Sequence, residues 1–222
     1  MKISNIFFHF FITGSLLCCA QNNVDLIKRT YKEGVELSRK GGEYGSEGDQ
    51  EKAIEATYQA ISKFEEVLEL DSGNYEVLGS MGLCYFELNQ FDDAKYWFNL
   101  SIRQNPNSAP NQMFIGLSKI FLRDGVNGSA HLDRALSIDS SPELRAQIVD
   151  NLLELGKLGF DFSKDLNAKN DLKGAKAYQS LGFSIFTMAF TYSKKLPEIR
   201  QLIVDYSKEF DEPGIVDWLK KY

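Results

Sequence analysis

The chain has 222 residues, 43% of them hydrophobic, and a formal net charge of −6. This composition suits a folded soluble protein, and its acidic charge, spread along the chain, does not suit nucleic-acid phosphate, which needs a clustered basic surface. Past residue 20 the chain has one histidine, His131, and one cysteine, Cys84, so a metal cluster built from His and Cys is excluded there by count.

The first predicted element is a leader. Met1-Lys2 followed by the Phe- and Ile-rich run Ile3 to Leu17 reads as a secretory signal over residues 1–20. Two exits remain open: cleavage after Cys18-Cys19-Ala20, or lipid attachment at Cys19, where the sequence resembles a bacterial lipobox with Leu17 and Cys18 in place of the usual small residues. Either exit implies an exported chain, in the periplasm or outer envelope. Residues 21–222 then form one helical repeat domain carrying 24 basic and 31 acidic side chains, a net charge of −7. Cys84 is the one cysteine surely retained, so no intrachain disulfide is expected and stability must come from packing.

Apolar spacing next predicts a helix over Val24–Lys40, a lengthened Gly-rich turn over Gly41–Gly48, and a long helix ending at Leu70. The turn lacks the G-x-x-x-x-G-K-[ST] pattern of a phosphate loop. From Tyr75 to Ser108 lies a 34-residue unit: one apolar stripe through Val77, Met81, Leu83-Cys84 and Phe86–Leu88, a break at Asn89-Gln90, and a second stripe over Phe91–Arg103. Shifting the chain by 34 aligns Ala60, Ala94 and Gly128; Phe64, Phe98 and Leu132; Leu68, Ile102 and Leu136. Asn105-Pro106-Asn107 stops one helix, Asp124-Gly125 and Asn127-Gly128 break the next pair, and Ser141-Pro142-Glu143 starts a new one.

A fourth pair echoes the first, Gly159–Lys164 against Gly34–Arg39 and Ala177–Leu181 against Thr57–Ile61. The uncharged run Ala177–Ser193 carries too many Gln, Ser and Thr side chains for a membrane span and reads as a buried helix. Pro197–Phe210 and the amphipathic Pro213–Tyr222, with Trp218, complete the chain as end caps.

The residues Leu78, Gly82, Tyr85, Ala94, Phe98 and Pro106 stand at the spacings of a tetratricopeptide repeat, and the unit resembles that family. The resemblance implies an all-α fold: a right-handed solenoid of about four antiparallel helix pairs plus C-terminal capping helices. It implies a protein that binds protein or peptide partners, without cofactor and without catalysis. The first helices of such units line a concave groove, which by resemblance would present Leu83, Phe86, Met113, Leu117, Ile120 and Phe121. Clamp-type relatives grip a terminal carboxylate with Lys, Arg and Asn, whereas the matching places here hold Gly79, Leu83, Met113 and Leu117. The groove is therefore expected to be apolar. Its occupant is either a partner's hydrophobic segment or this chain's own last helices, with Trp218 as a plug. The first reading is an envelope scaffold or adaptor; the alternative is a structural subunit of a larger envelope complex, its oligomeric state unassigned.

Chemistry is sparse. Beyond the leader His131 is the remaining histidine and reads as a partly exposed surface residue. The run Asp161-x-Ser163-x-Asp165-x-Asn167 to Leu172 places oxygen ligands as a calcium loop does. Leu166 and Leu172 replace the required glycine and glutamate, so it reads as a solvated turn between helices.

Overall fold

The computed structural model describes residues 4–193 and 196–221, with side chains from residue 22 onward among these. The leader side chains, Cys19 included, lie outside the described residues. Among the described residues ten helices follow in chain order: α1 (Ser4–Ser46), α2 (Gln50–Leu70), α3 (Tyr75–Glu87), α4 (Phe91–Gln104), α5 (Ala109–Phe121), α6 (Gly125–Ile138), α7 (Pro142–Ala168), α8 (Leu172–Tyr192), α9 (Pro197–Glu209) and α10 (Pro213–Leu219). No strand occurs among the described residues. The chain forms two compact units, Met1–Asn105 and Pro106–Tyr222.

One turn design closes the hairpins of both units. A residue with positive φ (Gly48, Asn89, Arg123, Asn170 or Asp211) follows the first helix. The next residue donates its amide to a carbonyl five positions back: Asp49 to Tyr44, Gln90 to Tyr85, Asp124 to Lys119, Asp171 to Leu166 and Glu212 to Ser207, at 2.8–2.9 Å. This bond satisfies carbonyls that the helix end would otherwise leave orphaned. The same residue then starts the following helix; the Asp49 and Asp171 carboxylates accept the amides of Lys52 and Gly174.

The helix lengths repeat with the turns. The α3–α4 and α5–α6 hairpins start 34 residues apart, 75 to 109 and 91 to 125, with the same lengths of 13 and 14 residues. A second period is longer. Helices α2 and α8 both have 21 residues and start 122 apart, 50 to 172. The same offset carries α3 onto α9, 75 to 197, and the start of α4 onto that of α10, 91 to 213. The α1–α4 pattern therefore recurs as α7–α10, and the last two helices turn as an ordinary hairpin does.

Close approach within the four hairpins from α1–α2 to α7–α8 depends on small residues. A Cβ added at Gly34 would lie 2.6 Å from the Phe64 ring, and one at Gly82 would lie 2.7 Å from the Phe98 ring. Gly156 stands against Phe186 in the same way, and both members are displaced by 122 from Gly34 and Phe64. The core of the first unit gathers Ala60, Ile61, Phe64, Val67, Val77, Met81 and Cys84. The α7–α10 core gathers Phe160, Phe183, Phe186, Phe190, Ile199, Ile203 and Leu219.

Four sequence expectations need correction. The Gly-rich stretch is mostly helix: α1 runs to Ser46, and the turn proper is Glu47–Asp49. Gly41 is buried, and a Cβ there would meet Thr57 Oγ1 at 2.7 Å, so its role is close packing against α2. Asn127-Gly128 does not break a helix but lies inside α6, where Gly128 lets α5 approach. The fourth pair echoes the first through Gly156, three residues before Gly159. Residues 161–168 are the last turns of α7, so the connection to α8 is only Lys169–Asp171. No described helix is long and apolar enough to cross a membrane.

Candidate functional site

In the first unit, α3 places Leu83 and Phe86 in half-buried positions. The Phe86 ring meets Phe91 edge-on at 5.3 Å, which ties the end of α3 to the start of α4. On the neighbouring first helix, Tyr31 brings its hydroxyl within 3.4 Å of Ser80 Oγ. This face offers apolar area with a polar fringe.

The other four expected groove residues belong to the second unit and are buried. Met113, Leu117, Ile120 and Phe121 are 2%, 0%, 2% and 7% exposed. They form core and offer no surface to a partner. Ile120 shows the reason, since its Cγ1 lies 2.5 Å from where a Gly128 Cβ would stand and fills the cleft of its own hairpin. Phe121 packs at 6.1 Å from Phe162 of α7 and 6.3 Å from Tyr178 of α8. Phe162, 36% exposed, is the accessible part of this aromatic cluster, and the Arg123 guanidinium sits 5.3 Å from the Tyr178 ring centre.

Titratable groups in these hairpins are structural. His131 Nδ1 donates to Gln112 Oε1 at 2.8 Å, and burial, aided by the Lys119 charge, lowers its pKa. Burial pushes the Cys84 thiol up to about 12, leaving it unreactive at neutral pH. Among the described residues no group of three or more His, Cys, Asp or Glu could hold a metal ion.

The expected plug has a different place. The Trp218 ring packs at 6.0 Å from Phe190 of α8, beside Leu219, which is 1% exposed. Trp218 is thus an edge of the α7–α10 core. It also walls an open recess of about 350 Å³ between α8 and α10, with Phe183 and Ile215 as further apolar lining and Ser180, Ser184 and Thr187 as hydroxyl lining. Glu212 completes it, its Oε1 accepting from Gln179 Nε2 at 3.0 Å. Sequence reasoning missed this recess, although the hydroxyl row at helical spacing along Ala177–Ser193 was its visible trace.

The tetratricopeptide repeat family matches residues 55–113. No curated protein matches the chain in sequence. Among solved structures, YrrB, a tetratricopeptide protein with an unusual peptide-binding site, is 15% identical, with coverage of 90% of this chain and 98% of that one, at a TM-score of 0.44. PilF of Pseudomonas aeruginosa is 12% identical over 90% of this chain and 100% of that one, at 0.41. The first tetratricopeptide domain of human RPAP3 is 20% identical over 56% of this chain and 96% of that one, at 0.39. The segment that matches the tetratricopeptide repeat family, residues 55–113, takes in most of α2, all of α3 and α4 and the start of α5.

Proposed function

We propose that this protein is a non-enzymatic scaffold that holds a segment of a partner protein against the Leu83 and Phe86 face of α3. The observation that carries the reading is the pair Leu83 and Phe86, half-buried apolar residues on α3 inside the matched repeat. An apolar strip of this kind receives a hydrophobic segment or amphipathic helix of a partner, a recurrent recognition mode. The leader reading supports export, so the proposed place of action is the bacterial envelope, with Cys19 as the residue for a lipid anchor.

The test is site-specific photo-crosslinking from position 83 in cells, with position 140, an exposed site in the α6–α7 connection, as control. One discrete protein adduct from position 83, lost in a Phe86→Asp background that keeps its melting temperature, is the expected result. Equal adducts from both positions, or none from position 83, overturns the reading.

A further inference from the structure

The 122-residue offset gives each position in α7–α10 a counterpart in α1–α4, and the recess between α8 and α10 has its own counterpart between α2 and α4. Its residues Ser180, Phe183, Glu212 and Trp218 stand where the first copy has Tyr58, Ile61, Gln90 and Tyr96. In that first copy the position carries a phenol, whose side chain is 48% exposed. Tyr58 reaches from α2 to the turn before α4, and Gln90 Nε2 donates to its hydroxyl at 3.1 Å. In the second copy Ser180 replaces the phenol, and its hydroxyl turns back to the Lys176 carbonyl at 2.9 Å. Where Tyr58 ended on an amide, the second copy has the Glu212 carboxylate. Gln179 holds one of its oxygens and the Phe210 carbonyl together, so the carboxylate is already oriented.

We propose that the recess is a docking pocket for a tyrosine side chain of a partner protein, which takes the place that Tyr58 fills in the first copy. The phenol ring lies against Phe183, Ile215 and Trp218, and its O–H donates to Glu212. A volume of about 350 Å³ lies at the small end of ligand clefts, which run from about 300 to 1,000 Å³. The chemistry of the walls selects a phenol: apolar lining for the ring, hydroxyls at the margin, and an acceptor without a donor where the ring's O–H arrives. A carboxylate in this position also admits a cation, so amines are the competing occupant. The pocket lies on second helices and shares no residue with the face around Leu83, so either proposal can fail without the other.

The experiment titrates the folded chain with 4-methylphenol, which is the tyrosine side chain itself, and follows the Trp218 indole resonance with Trp97 as internal reference. The expected result is a saturable shift of Trp218 at millimolar concentration, with toluene binding about tenfold more weakly for want of the charge-assisted hydrogen bond. Ser180→Tyr supplies the ring internally and should abolish the shift while the chain keeps its helical circular dichroism. Glu212→Ala, a change at an accessible turn, should weaken 4-methylphenol about tenfold and leave toluene unchanged. The proposal is overturned if 4-methylphenol gives no saturable shift, if toluene binds as tightly, if n-butylamine binds more tightly than the phenol, or if both variants bind as the parent does.

Discussion

Replacing Gly82 by alanine tests the claim that small residues set the hairpin spacing. The added Cβ would stand 2.7, 2.8 and 2.8 Å from three carbons of the Phe98 ring. Ordinary carbon contacts are about 3.5–4.0 Å, so the ring would have to retreat by roughly 0.8 Å. Phe98 is 1% exposed, so the ring has to move within the packed interior. Overpacking of this kind costs about 1–3 kcal/mol, while alanine gains about 0.8–1.0 kcal/mol over glycine in a helix. The net expectation is a loss of about 1 kcal/mol. Gly42→Ala is the matched control, because nothing lies within 4 Å of its Cβ position on α1. That variant keeps only the helix gain and should be stabilised by up to about 1 kcal/mol. Urea unfolding of both variants at unchanged slope should show midpoints displaced in opposite directions. If Gly82→Ala is as stable as Gly42→Ala, the glycine at the α3–α4 crossing is incidental and the reasoning fails. Adding Phe98→Leu to Gly82→Ala should recover part of the loss, since the branched side chain can withdraw where the ring cannot.

Three further outcomes follow from the same packing. Phe160 is fully buried against the rings of Phe183, Tyr206 and Phe210 at 4.5–4.8 Å, so Phe160→Ala should cost about 3–5 kcal/mol in urea unfolding, against about 1 kcal/mol or less for the half-exposed Phe162→Ala. Cys84 should resist alkylation at pH 8 at a rate limited by unfolding; because its folded pKa is raised from 9.0 to about 12, it should also draw stability down between those values as pH rises, a slope that Cys84→Ala removes. His131 titrates the other way: its folded pKa lies below 6.5, so the unfolded chain binds the proton first as pH falls, and stability should decline on the acid side of 6.5 in the parent and less steeply in His131→Gln.

Much of the repeat was legible because its signals are local. The stop at Asn105 and the serine and proline that open α7 each depend on residues within one or two turns of one another, and the columns through Ala94 and Phe98 recur at a fixed spacing. The candidate surface was less legible. Leu83 and Leu117 share a column and a residue type, yet Leu83 is half-buried and Leu117 fully buried. Which of two such leucines is covered depends on the neighbouring helices, and no letter at the position records it.

By itself the sequence determined an all-α chain, the 34-residue pitch of α3 to α6, and the helix starts and stops that punctuate it. Only the tertiary structure decided that α7–α10 repeat α1–α4 at 122 residues, since the echo by residue type placed Gly34 against Gly159. The register instead follows the contacts Gly34 with Phe64 and Gly156 with Phe186, each joining residues 30 positions apart on facing helices. The recess at Ser180 follows from the same register, because a missing phenol becomes visible only once its counterpart Tyr58 is known. Helix propensity and punctuation act along the chain, whereas register is set by which ring meets which glycine across a hairpin, and that depends on the packed pair.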